Sequence, residues 1–212
     1  MLVVRSTTIH GGDMRQELDA ALCAKYPKMM AQRNLHMTET CMCWGFECGD
    51  GWYNILDSLM GAIQHHIDWK MSQHERAVEH NAIQKAVARQ DFTLFNEKYG
   101  RTTQAYQDAM LDEFLEDELL GKIREVPPMP TQVVLTQVKE KLGSLRFYYD
   151  GGHESEYIRG LVSMAEQMST VICETCGSPG KHRGGGWVRT LCDKHEEQHQ
   201  RGEYDEIPST VP

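Results

Sequence analysis

Three cysteines and a histidine toward the C-terminal end have the types and the spacing to hold a metal ion. Cys173 and Cys176 stand two residues apart, and so do Cys192 and His195 after a glycine-rich insert. Tetrahedral zinc needs four soft or borderline ligands converging on one point, and two tight turns can each deliver two. The insert reads as a turn at Gly177–Gly180, then a short β-hairpin running through Gly184–Gly186 to Trp187–Leu191. The polar run His195–Gln200 reads as helical. Knuckle, hairpin and helix start, with the last two ligands on the helix's first turn, predict a treble-clef-like zinc module. His199 and His182 are alternative fourth ligands, although Cys-x2-His suits a helix start better. A helix N-terminus also favours the Cys192 thiolate through its dipole. Four protein ligands leave no open position for water or substrate, so the expected role of the zinc is structural.

The hairpin between the ligand pairs carries Lys181, His182, Arg183, Trp187 and Arg189. Basic groups and an aromatic on a metal-held loop can touch a phosphate, a stacked base or a protein partner. Residues 171–212 nevertheless hold five Lys/Arg against seven Asp/Glu.

A second group of thiols, Cys41, Cys43 and Cys48, lies in a loop that also holds Trp44, Gly45, Gly49, Gly51 and Trp52. One reading is a packed loop in which cysteine acts as a small hydrophobe and glycine permits unusual backbone angles. A second metal site would need a further ligand from His65, His66 or Cys23. A Cys48/His66 nucleophile–base pair is the third reading. His153-Glu154, beside Gly151-Gly152, reads as a solvated turn. No catalytic constellation of nucleophile, base and oxyanion donors stands out, and the expectation is a protein without catalysis of its own.

The elements that must position these groups follow from apolar spacing. Asp13 is a candidate N-cap for a helix through Met14, Leu18, Leu22 and Tyr26 that Pro27 breaks or kinks. Asp50 is expected to cap a core helix with Trp52, Ile55, Leu56, Leu59, Ile63 and Ile67 on one face. Ser72 and Glu75 form a capping box, predicting a new helix to about Arg89. Further helices are expected over Asp91–Tyr99 and from Thr102 or Thr103 to Leu120, the second with an acidic, solvated face. Val133–Lys141 is ambiguous between strand and helix; Leu145–Tyr149 is a clear strand, and Tyr157–Met168 a helical stripe. The expected organisation is a leader and helix over 1–40, a helical region with the cysteine-rich loop over 41–126, a strand–helix segment over 127–170 and a zinc module with a polar tail over 171–212. The fold class is α+β, predominantly helical with a small sheet.

The 212 residues carry a formal net charge of -9, which argues against a general nucleic-acid binder. No apolar run is long enough for a membrane helix, and no signal peptide is evident at the N-terminus. With seven cysteines and no secretory signal, metal ligation and free thiols are expected rather than a disulfide framework.

Three stretches together, Cys43–Trp52 with Ile63–Asp68 behind it, Val138–Tyr149, and Cys173–His195, resemble a family of uncharacterised proteins of tailed bacteriophages and prophages. The resemblance spans about residues 41 to 195 and brings no assigned activity. It implies a setting: a phage protein in the bacterial host cytoplasm. With the acidic balance, it leads to the expectation of a zinc-binding accessory protein that binds and modulates a host protein, with a nucleic-acid-binding or nucleic-acid-processing protein using the basic hairpin as the alternative.

Overall fold

A computed structural model describes residues 13–184 and 187–203. The leader at 1–12, the hairpin tip at Gly185–Gly186 and the tail from residue 204 lie outside the described residues. The fold is α+β: six α-helices and two small sheets among the described residues, with the Cys/His cluster in the C-terminal part. The chain forms two compact units, one made of residues up to 65 and from 131 on, the other of 66–130.

In the first unit, α1 (Gln16–Lys25) buries Leu22, and the turns after it bury Met29 and Met30. Asp13 is not the N-cap: the helix starts at Gln16 with Arg15 in the cap position. Nor does the Asp50 side chain cap a helix. It accepts hydrogen bonds from the backbone N–H and the guanidinium of Arg15, fixing the start of α1 to the cysteine-rich loop. Asp19 performs a similar task inside that loop. Its carboxylate faces the Arg33 guanidinium and accepts from Phe46 N at 3.3 Å, while Arg33 also donates to Cys43 O at 2.8 Å.

A short 3-10 turn over Asp50–Trp52 leads into α2 (Tyr53–Ala88), which is one 36-residue helix. The capping box at Ser72 therefore does not open a new helix. Nothing between Ile67 and Ser72 breaks the preceding one, so the N–H groups that a cap would satisfy are already used within it. The buried positions Trp52, Leu56, Leu59, Met60 and Ile63 face the first unit's core.

The ambiguous Val133–Lys141 segment is a strand. β1 (Phe46–Glu47), β2 (Val134–Lys141) and β3 (Ser144–Asp150) form a sheet in that order, with β1 parallel and β3 antiparallel to β2. The ladder slips between Leu135 and Gln137, a bulge-like irregularity. β3 is an edge strand, and α5 (Glu156–Ser169) covers its free donors: Ser169 Oγ accepts from Leu145 N at 2.8 Å and Glu166 Oε1 from Phe147 N at 3.1 Å. Such side chains block the pairing of another strand. Ser155 caps α5, its hydroxyl accepting from Ile158 N, and Ile158, Val162 and Ala165 are the helix's buried apolar stripe.

The β2–β3 connection is a two-residue turn in which both Leu142 (φ 53°) and Gly143 (φ 75°) are left-handed. That geometry suits Asn-Gly, whereas a left-handed leucine costs on the order of 1–2 kcal/mol. Leu142 is exposed, so replacing it gives up little packing. Leu142→Asn is expected to stabilise the protein by about 1 kcal/mol, read as a higher denaturation midpoint at unchanged slope.

In the second unit, the later turns of α2, α3 (Thr93–Tyr99) and α4 (Gln104–Leu119) enclose Ile83, Val87, Phe95 and Phe114. The Phe95 and Phe114 rings meet edge to face at 6.2 Å. The stretch after α4 is bound along α2 by polar side chains: Asn81 exchanges two hydrogen bonds with the Arg124 backbone, and Gln84 donates to Lys122 O. These bonds account for the burial of the Asn81 and Gln84 amides on α2.

Candidate metal centre

The C-terminal module is built by turns too short to stand alone. Cys173 N donates to Ser178 O at 2.7 Å, and Gly177 N to Cys173 O at 2.9 Å, which closes the first knuckle. Gly177 takes φ 75° there, a left-handed angle open to glycine at little cost. β4 (Lys181–Arg183) and β5 (Arg189–Leu191) pair antiparallel, and α6 (Asp193–Gln200) follows with Cys192 in its N-cap position. Glu174 N donates to Thr190 O at 2.9 Å, tying the knuckle to β5.

These turns bring Cys173, Cys176, Cys192 and His195 together, their ligand atoms all within 4.8 Å of one another. His195 Nδ1 lies 3.1 Å from Cys192 Sγ and 3.5 Å from Cys173 Sγ, and Cys176 Sγ lies 3.9 Å from Cys192 Sγ. A tetrahedron with metal–sulfur bonds near 2.3 Å has sulfur–sulfur edges of about 3.8 Å and sulfur–nitrogen edges of about 3.5 Å. The donor set thus fits one tetrahedral ion. His195 supplies the fourth atom; neither His182, on β4, nor His199, in the last turn of α6, belongs to the group.

The four ligands are unequally covered. Cys173 and His195 are buried, Cys192 is half-buried and Cys176 is exposed. Burial pushes the Cys173 thiol up to about 11. Burial also works against ionising Cys176, but hydrogen bonds from the Ser178 hydroxyl and N–H together with those from the Cys173 and Cys192 thiols outweigh it and hold that thiol below its ordinary value. A cation at the centre would supply the charge that ionises all three thiols.

The sequence did not show what lies over the knuckle. Gly51 N donates to Glu174 O at 2.7 Å, Gly49 N to Glu174 Oε1 at 3.1 Å, and Trp52 Nε1 to Ile172 O at 2.9 Å. The approach is so close that a Cβ on Gly51 would stand 2.2 Å from Cys173 O. The two unusual stretches of the sequence are therefore one structural feature, the cysteine-rich loop being seated on the ligand knuckle. Glu174 is buried by this contact, and burial raises its carboxyl to about 7 against the pull of the Gly49 N–H.

The remaining thiols are placed separately. Cys48 is fully buried, which raises its thiol well above the ordinary value and keeps it neutral. Cys43 Sγ donates to Thr40 O, Cys23 Sγ to Asp19 Oδ1, and Cys41 is exposed. Among the described residues, Cys41, Cys43 and Cys48 do not join any group of three or more potential ligands.

On the hairpin, Lys181 and Arg183 both pair with Asp193. Two of the cations that could reach a phosphate are already answered by a carboxylate of the same module. Trp187 is exposed, as are Lys181 and His182; Trp187 Nε1 donates to Glu140 Oε2 at 3.3 Å, and Arg189 is half-buried. Among the described residues no helix is long and apolar enough to cross a membrane. Comparison with family models, curated proteins and solved structures returns no match to this chain.

Proposed function

We propose that the chain is a phage-encoded, zinc-stapled accessory protein that acts in the bacterial cytoplasm by binding and modulating a host protein, without catalysis of its own. The observation that carries this reading is the closed donor set. Three thiols and an imidazole at tetrahedral spacing select zinc over the hard cations and leave no coordination position for a reacting water. The ion then serves to order a hairpin and a helix start. The neutral, buried Cys48 gives no support to thiol catalysis, because the nucleophile is the thiolate. Free thiols throughout the described chain suit a reducing compartment. The phage setting comes from the resemblance of the Cys43–Trp52, Val138–Tyr149 and Cys173–His195 stretches.

Tagged protein expressed in bacteria is expected to carry about one zinc per chain by elemental analysis and to retain one host protein through washing. Only non-specific binders at low salt would remove the host-protein reading. A zinc-free but folded chain would remove the staple.

A further inference from the structure

We propose that the open face of the three-stranded sheet is a binding platform for single-stranded nucleic acid. The register decides which side chains share this face. Phe46 pairs with Val138 and Val138 with Phe147, all three buried, so their neighbours point the other way. That outward set is Glu47, Gln137, Lys139, Arg146 and Tyr148, with Lys141 following at the strand's end. Gln137 Nε2 donates to Glu47 Oε2 at 2.8 Å, which orients the one acid of the set without cancelling its charge. Ion pairs bind many of the molecule's other cations, yet none among the described residues involves Lys139, Lys141 or Arg146. In a chain of net charge -9, three cations against one acid in the outward set are a local excess of positive charge.

Tyr148 supplies the second half of a single-strand site. Its ring is exposed on the same face, and the Lys139 ammonium stands 5.6 Å from the ring centroid. A stacking surface beside cations is the combination that single strands use, because every base offers a π-face and every linkage a phosphate. Next to Tyr148 the surface dips into an open groove of about 440 Å³ whose walls include Thr38, Thr40, Gln137, Glu39 and Asp150. Its hydroxyl, amide and carboxylate groups suit the polar edge of a base. The two carboxylates repel phosphate, so the backbone must run on the Lys139–Arg146 side. A duplex keeps its bases stacked inside and cannot use the Tyr148 ring this way.

The test is fluorescence anisotropy with labelled 15-nucleotide dT and rU strands and a duplex of equal length, titrated with the zinc-loaded full chain. Single strands are expected to bind at low salt with a log–log salt slope of about -2, as three phosphate contacts require. Tyr148→Ala should weaken binding roughly 5- to 150-fold and Tyr148→Phe should restore it, since the ring alone stacks. Lys139→Gln with Arg146→Gln should flatten the slope to about -0.7, whereas Lys181→Gln with Arg183→Gln should leave it unchanged. Tyr148 and Lys181 are exposed and Lys139, Arg146 and Arg183 half-buried, and unchanged zinc content and circular dichroism would verify the fold. No binding at low salt, duplex preferred over single strand, equal binding by Tyr148→Ala, or binding of poly-glutamate in place of the oligonucleotides would each overturn the assignment. The host-protein reading stands or falls on co-purification, so the two failures are distinguishable.

Discussion

Stripping the metal, by chelator or by Cys173→Ser, is expected to disorder the C-terminal module from about residue 171 to 203 while the rest of the chain remains folded. The reason is the scarcity of any other support. β4 and β5 have three residues each and α6 has eight. A hairpin this small and a helix this short are unstable alone in water. Apart from ligands, the module's buried side chains are few, chiefly Glu174, Thr190 and Leu191. Structural zinc contributes on the order of 10–16 kcal/mol in isolated fingers, comparable to the whole stability of a domain, so loss of such an ion from this site would outweigh what the remaining contacts supply. Serine at 173 would remove the most buried ligand and leave a hydroxyl among the remaining donors. Hydrogen exchange should show protection lost across the module and kept in β2, β3 and α2. Cys48→Ser is the control: it should cost about 1–3 kcal/mol for a buried hydroxyl yet keep the zinc. Protection that survives zinc removal would mean the module is held by its contacts alone.

The ligand set was legible because spacing carries it. Each pair sits in one turn, and a turn needs only local sequence to specify it. The strand at Leu145–Tyr149 and the helix around Ile158, Val162 and Ala165 were legible for the same reason, a period of two or of about 3.6 without interruption. β2 was ambiguous for a definite cause. The slip between Leu135 and Gln137 places the buried Leu135 and Val138 three residues apart, which is a helical spacing on a strand. The capping box at Ser72 misled because the motif describes what an N-terminus uses and not whether the chain stops there. Asp13 and Asp50 looked like caps for the same local reason, whereas Asp50 is engaged by Arg15, 35 residues away. Pairing of the two-residue β1 with β2 depends on tertiary placement and leaves no periodic trace. The platform on the sheet's outer face shares this property: Lys139, Arg146 and Tyr148 are unremarkable in sequence and become a group only through register.

Gly51→Ala is expected to be nearly as damaging as loss of a ligand, although Gly51 touches no metal. Its added Cβ would stand 2.2 Å from Cys173 O, 2.4 Å from Gly177 N and 2.7 Å from Cys176 N, all backbone atoms that no side-chain rotation can clear. Gly51 does not have a left-handed φ, so alanine is compatible with its backbone angles and the whole effect is steric. Relief requires the loop to lift from the knuckle, which breaks the Gly51 N–Glu174 O bond at 2.7 Å and the Trp52 Nε1–Ile172 O bond at 2.9 Å and leaves the carbonyls of buried Glu174 and half-buried Ile172 without those donors. Overpacking of this kind costs about 1–3 kcal/mol and each of the two lost bonds adds about 1–3 kcal/mol, for a total of roughly 3–9 kcal/mol. Gly160→Ala, on α5 with open space around it, should instead stabilise by up to about 1 kcal/mol. Because the Gly51 contact lies on the backbone that presents Cys173 and Cys176, the variant should also give up zinc faster to a competing chelator, with a lower melting temperature. Wild-type melting and wild-type zinc release in Gly51→Ala would show that the loop does not rest on the knuckle. A lower melting temperature with unchanged zinc release would show that the loop is seated there but leaves the ligands to hold themselves.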